Sequence, residues 1–285
     1  MESHLFIVNH QRHNTTIEFF ILPLPHSGTR PILARHVQTL SHPSFVSPNA
    51  IATISPSSFY VTNDHLMTRR LPSIFGEILP MVETSLALPL GWVDRVDLDL
   101  SNTAPGQVKF AVSRAISNIP FANGIAISAD KQELAVASST TLNVYLYEVN
   151  TTLTENRIPR HKGSIQVPFH PDNLSYGAGR TLYVGGHPAF FSLIKVSKRK
   201  QLSAPSWVAS FTPSKDDMRS PAMSSGVRPT HTMQTLYQSD GSGFGMSTTG
   251  AFVSSHVDGT KDAIDGKGSI FVTGLYEEGV LECKR

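Results

Sequence analysis

Pro168-Phe169-His170-Pro171-Asp172-Asn173-Leu174-Ser175-Tyr176-Gly177-Ala178-Gly179-Arg180-Thr181-Leu182-Tyr183-Val184-Gly185-Gly186-His187-Pro188 reads as two strands joined by a glycine-bearing turn. Apolar and polar residues alternate on both arms, and Gly177 and Gly179 supply the turn. The stretch sets two oxygen-bearing side chains, Asp172 and Asn173, ahead of a short apolar segment, and it closes on a His-Pro dipeptide.

Two other stretches share this grammar. Phe121-Ala122-Asn123-Gly124-Ile125-Ala126-Ile127-Ser128 leads through a polar turn into Glu133-Leu134-Ala135-Val136-Ala137-Ser138. Pro48-Asn49-Ala50-Ile51-Ala52-Thr53-Ile54 leads through Ser55-Pro56-Ser57-Ser58 into Phe59-Tyr60-Val61-Thr62-Asn63-Asp64-His65. A two-strand unit repeated along a chain is the mark of a propeller blade. The steps from Asn49 to Asn123 to Asn173 are unequal, which predicts inter-blade loops of different length.

Composition narrows the function classes. With 40% apolar and only 16% charged residues in a chain of 285, a sizeable core is within reach, and repeat-built all-β domains commonly have this length. The formal net charge of +2 and the absence of a long basic run argue against nucleic acid as partner; Lys198-Arg199-Lys200 reads as a solvated turn. The single cysteine, Cys283, excludes an internal disulfide. Met1-Glu2-Ser3-His4 followed by a short apolar run does not form a signal peptide, and no apolar run is long enough for a spanning helix. There is no Gly-x-Ser-x-Gly elbow and no phosphate-cradling glycine loop. Sequons begin at Asn14, Asn150 and Asn173, which matter if the protein is secreted as a glycoprotein.

The pattern outside the repeats predicts further strands. Leu5 to His10 and Thr15 to Leu22 read as a hairpin turning at Arg12-His13-Asn14. Arg95 to Leu100, Leu142 to Val149 and Phe190 to Val196 alternate as strands, and Trp207 to Phe211 is a strand inside a long surface loop over 198–231. Met233 to Gln238, Gly250 to Ser255, Ser269 to Leu275 and Gly279 to Glu282 are candidates for a last blade. The insert Asp258 to Gly266 is a polar hairpin tip, because it lacks the acidic last ligand of a calcium loop. Leu71 to Trp92 breaks the strand pattern. Pro80 and Pro89 argue against one continuous helix there, and the segment suits a core cover or a peripheral lipid contact.

Asn63, Asn123, Asp172 and Asn173 are oxygen donors, each at the end of a strand or just before one, the hard-donor chemistry that calcium takes. Strand ends are rigid supports for such a site. Each donor alone has a plainer reading: Asn123-Gly124 is a common turn dipeptide, and Asn63-Asp64 suits a loop cap.

Phe59-Tyr60-Val61-Thr62-Asn63-Asp64-His65, Phe121-Ala122-Asn123-Gly124-Ile125, Asp172-Asn173 and Gly186-His187-Pro188 together resemble, in this order, the motifs of the paraoxonase/arylesterase family. These are calcium-dependent lactonases and esterases built on a six-bladed β-propeller, and the resemblance runs from Leu5 to Cys283. It implies that Asn63, Asn123, Asp172 and Asn173 serve a catalytic calcium and that Asp64 serves a second, structural one. His10, in Val8-Asn9-His10, matches the second member of the family's water-activating histidine pair, and His65 and His187 match positions around the channel. In the animal paraoxonases a cysteine at the position of Cys283 pairs with one near the N-terminus, and this sequence has no partner for it. The family's glutamate for the catalytic calcium and the first histidine of the pair correspond to sequence before Met1.

The expectation is thus one all-β domain over 1–285, a six-bladed-type β-propeller incomplete at its N-terminus. Its expected activity is calcium-dependent hydrolysis of an aryl ester or lactone, weakened by the missing groups. The alternatives are a sugar-lactonase or strictosidine-synthase-like propeller, and a non-catalytic truncated propeller.

Overall fold

The computed structural model describes residues 2–23, 33–72, 74–149, 158–214, 230–254 and 268–284. These form five antiparallel sheets, each a meander in which sequence neighbours are sheet neighbours. The first holds β1 (Glu2–His10), β2 (Thr15–Pro23) and β3 (Arg35–Leu40). The second holds β4 (Pro48–Ser55), β5 (Ser58–Asn63), β6 (Gly91–Asp99) and β7 (Lys109–Ile119), with helix α1 (Phe75–Ser85) between β5 and β6. The third holds β8 (Ala122–Ile127), β9 (Glu133–Ser138), β10 (Asn143–Glu148) and β11 (Arg160–Gln166). The fourth holds β12 (His170–Tyr176), β13 (Leu182–His187), β14 (Ser206–Pro213) and β15 (His231–Ser239), with helix α2 (Phe190–Ser197) between β13 and β14. The fifth holds β16 (Ser247–Ser254), β17 (Gly268–Gly274) and β18 (Leu281–Lys284). The chain is all-β and of the β-propeller class.

All three repeated hairpins form: β4 with β5, β8 followed by β9, and β12 with β13. Other expectations are corrected. Among the described residues there are five blade-type sheets rather than six, the larger number having come from the resemblance and not from counted strands. Phe190 to Val196 is helical: Leu193 and Val196, one helical turn apart, pack with Ala204 and Met246, and β14 takes the place beside β13. A short apolar run fits either period, and packing decides. Met233 to Gln238 lies within β15, which pairs with β14 and so belongs to the fourth sheet. A single helix, α1, runs through Pro80 and stops before Pro89; Thr84 Oγ1 donates back to the Pro80 carbonyl at 2.8 Å. Asn150 and Asp258 to Gly266 lie outside the described residues.

The chain divides into two compact units, the boundary falling within β8 after Ile125. In the first, Ile17, Phe19, Val37, Leu40, Phe59, Val61 and Val96 form one buried cluster. Phe6 stacks on Phe19 and tilts against Phe59, with centroids 5.0 and 4.6 Å apart. Full burial of each such side chain contributes about 1.5–3 kcal/mol. In the second, Ala135, Val144, Phe169, Leu182, Val184 and Phe211 form a core, and Val208, Ile270 and Val272 form another. Cys283 borders that second cluster as a free thiol, and burial pushes its pKa up.

Glu18 ties the first sheet together across its strands. Its carboxylate accepts from Asn9 Nδ2 at 3.1 Å, Thr16 Oγ1 at 2.9 Å, Thr39 Oγ1 at 2.6 Å and His36 Nε2 at 2.9 Å. Burial works to raise its pKa, but the bonds from Thr39, Asn9, His36 and Thr16 outweigh it and hold the group at about 2, against 4.5 unperturbed. A depressed carboxylate adds stability above its unfolded pKa and loses it as pH falls through its folded one. The melting temperature should therefore fall between pH 4.5 and about 2, and Glu18→Gln should flatten that slope. Parallel pH profiles for the two proteins would contradict this role.

Candidate functional site

The sequence repeat corresponds to a repeated backbone irregularity. In β4, Asn49 and Ala50 together face Thr62, because Pro48 pairs with Asn63 and Ile51 with Val61. In β12, Asp172 and Asn173 together face Gly185, because Pro171 pairs with Gly186 and Leu174 with Val184. Each is a two-against-one β-bulge directly after a proline, which has no N–H to give to the ladder. The first bulge residue then makes the same kind of contact in both sheets: Asn49 Nδ2 donates to Asp64 Oδ2 at 3.1 Å, and Asp172 Oδ2 lies 3.1 Å from His187 Nε2.

In the first unit, Asn63 closes β5 and is fully buried. Its Oδ1 accepts the Ser47 N–H at 3.1 Å and its Nδ2 donates to Asp94 Oδ2 at 3.3 Å. Thr62 Oγ1 donates to the Asn123 carbonyl at 2.7 Å, so the strand carrying Asn123 is tied to the strand carrying Asn63. Phe121 holds this junction at φ 45°, a left-handed conformation uncommon for a bulky residue, and its ring meets His65 edge-on at 4.5 Å.

His65 Nδ1 donates to Asp64 Oδ1 at 2.9 Å. The Thr84 hydroxyl, already donating to Pro80, accepts from His65 Nε2 at 2.8 Å. Both ring nitrogens therefore carry hydrogen, the pattern of an imidazolium. Burial works against that charge, but the bond to Asp64, its charge and that of Glu83 outweigh it and raise the pKa of His65. Burial likewise opposes the Asp64 charge, and the bond and charge of His65 with the bond from Asn49 lower its pKa. Buried Glu83 on α1 accepts the N–H groups of Leu66 at 3.0 Å and Met67 at 2.8 Å, which fastens the helix over this loop. His10 stands exposed at the end of β1, paired with Thr15. Arg70 donates to the Gln11 carbonyl and to Thr15 Oγ1 in the same hairpin turn, and to the Val46 carbonyl at 2.9 Å.

In the second unit, His187 is 6% exposed. A carboxylate only accepts, so its Nε2 carries the hydrogen toward Asp172. Among the described residues the buried Nδ1 of His187 has no hydrogen-bond partner. Asn173 sits beside Asp172 in the bulge, partly buried.

The first unit thus brings together Asn63, Asp64, His65 and Asn123, and the second brings together Asp172, Asn173 and His187. The donor set fits calcium chemically: amide and carboxylate oxygens, with no sulfur among them. Among the described residues, no three His, Cys, Asp or Glu side chains form a metal-binding cluster. Sequence reasoning missed Asp94, Asn49 and Glu83. Asp94 carried a signal: it stands in the β6 alternation Trp92, Asp94, Val96, Leu98, a carboxylate on a buried apolar face.

Gly91 is a steric constraint on the site. A Cβ there would lie 2.6 Å from the Ile119 carbonyl oxygen and 2.9 Å from that of Asn63, both backbone atoms. Gly91→Ala should destabilise the protein by about 1–3 kcal/mol, read as a lower urea midpoint. An unchanged midpoint would show that the Asn63 strand end yields freely.

A family model described as arylesterase matches residues 2–261. The serum paraoxonase/lactonase 3 of Oryctolagus cuniculus is 29% identical over 194 residues, 67% of this chain and 47% of its own length. The serum paraoxonase/arylesterase 1 of Mus musculus is 30% identical over 189 residues, 65% of this chain and 45% of its own. The chain spans about half the length of the curated relatives it matches. Among solved structures, a luciferin-regenerating enzyme overlaps with a TM-score of 0.45 at 14% identity, covering 96% of this chain and 70% of that one. The family match extends over nearly the whole chain and takes in every one of the site residues described above, and the chain belongs to the arylesterase family.

Proposed function

We propose that this protein is a calcium-dependent hydrolase of small aryl esters or lactones. Family membership supports the reaction class, and the Asp172–His187 pair is the observation that carries the mechanism. Asp172 fixes the Nε2–H tautomer of His187, as a carboxylate does for a catalytic histidine. In the neutral ring the lone pair then sits on Nδ1, a buried atom that must meet water when substrate binds for His187 to act as general base. His65 is unsuited to that task, because both of its nitrogens already donate; it orients Asp64 instead. His10 remains the residue the resemblance assigns to water activation, and its exposure at a hairpin turn leaves it open to solvent.

The resemblance assigns Asn63, Asn123, Asp172 and Asn173 to a catalytic calcium and Asp64 to a second ion. Bound calcium supplies Lewis-acid stabilisation of the oxyanion that develops on the substrate carbonyl. One carboxylate among the four inner ligands predicts modest affinity, since ligand charge tunes calcium binding. Along α1, Ile74, Phe75, Ile78, Met81 and Leu86 are exposed, which supports peripheral lipid contact there. Among the described residues no helix is long and apolar enough to cross a membrane.

Calcium bound by the native state alone stabilises it by about 2.7 kcal/mol at a hundredfold excess over Kd. Thermal melts in calcium and in chelator should differ, and Asp172→Ala should abolish the difference. Phenyl acetate and lactone hydrolysis should require calcium and fall by about 10²–10⁴-fold in His187→Gln, the usual size of general-base assistance. Identical melts in both buffers, or full turnover by His187→Gln, would overturn the proposal.

A further inference from the structure

Asp94 is 1% exposed in the middle of β6, and the chemistry above leaves it unused. Its Oδ1 accepts from Arg114 Nε at 2.7 Å. Its Oδ2 accepts from Ser44 Oγ at 2.5 Å, Trp92 Nε1 at 2.8 Å and Asn63 Nδ2 at 3.3 Å. The guanidinium of Arg114 also lies 4.5 Å over the Trp92 ring, so two of the groups that hold Asp94 brace one another.

We propose that Asp94 is a positioning residue that determines which end of the Asn63 carboxamide is presented as a metal ligand. The proposal rests on the reading of Asn63 as a calcium ligand. A carboxamide has two ends of nearly equal shape, and hydrogen bonding alone tells them apart. An ionised carboxylate accepts and never donates, so only the NH2 end of Asn63 can face Asp94. The carbonyl is thereby turned to the opposite side, where it accepts the Ser47 N–H at 3.1 Å. The flipped amide would set oxygen against carboxylate and NH2 against the Ser47 N–H, losing both bonds and burying two mismatches. Calcium needs the oxygen. A fixed carbonyl therefore spares the ion the cost of reorienting a buried amide, the service that outer groups give to metal ligands elsewhere.

The test is calorimetric titration of the full chain with calcium chloride, alongside circular dichroism to establish folding. Asp94→Ala should weaken calcium binding by about 10–100-fold, the usual loss when a group supporting a metal ligand is removed. Asp94→Asn keeps an amide oxygen for Asn63, Trp92 and Ser44, and should bind within a few-fold of the parent. Should Asp94→Ala fail to fold, Asp94→Leu with Arg114→Met removes the ion pair as a unit and carries the same expectation. Asn63→Ala is the reference. Calcium binding lost in Asn63→Ala but intact in folded Asp94→Ala, or in Asp94→Leu with Arg114→Met, overturns this proposal alone. Binding intact in Asn63→Ala overturns the ligand reading and the proposal with it.

Discussion

At Asn49-Ala50 and at Asp172-Asn173 two residues face one across the ladder, and the strand must bend to accommodate them. The bend carries the first bulge residue out of the regular alternation and toward the end of the neighbouring strand. Each pairing depends on it: Asn49 reaches Asp64 and Asp172 reaches His187. The preceding Pro48 and Pro171 suit the position because neither has an N–H to lose. The same backbone device is thus used twice with different chemistry. In the second sheet an amide donates to a carboxylate, and in the fourth a carboxylate holds a histidine.

That difference separates the histidines. His65 is enclosed by an acceptor at each nitrogen, and the charges of Asp64 and Glu83 favour its protonated form. His187 has one acceptor and one unused nitrogen. Two histidines at the ends of similar strands are therefore held differently, one between two acceptors and the other by a single carboxylate. Helix α1 belongs to the first arrangement, since Thr84 completes the clamp on His65 and Glu83 secures the loop after it.

Much of this was legible in the chain. The three hairpins were written in period-two alternation and turn residues; of the oxygen donors, Asn63 closes its strand as expected, whereas Asp172 and Asn173 lie inside β12, in the bulge. Phe190 to Val196 was not legible, because a short run of apolar residues satisfies a helix and a strand equally and only the packing of Val196 on Ala204 and Met246 decides. The bulges were invisible as well: a ladder irregularity is a property of two strands in register, and one strand's sequence does not contain it. Asp94 lay between these cases. Its carboxylate interrupts a buried face, which marks it as paired, but the identity of its partners needed Ser44 and Arg114, distant in sequence, to be brought beside it.

We propose that amides and one carboxylate of this chain bind calcium for ester hydrolysis. Crystals of the full chain grown in calcium, with anomalous scattering used to identify the ion, test it most directly. The account predicts calcium with the side-chain oxygens of Asn63, Asn123, Asp172 and Asn173 at roughly 2.3–2.6 Å, and the Asn63 amide nitrogen still facing Asp94. Calcium bound elsewhere, or these four side chains free of metal at saturating calcium, would contradict it.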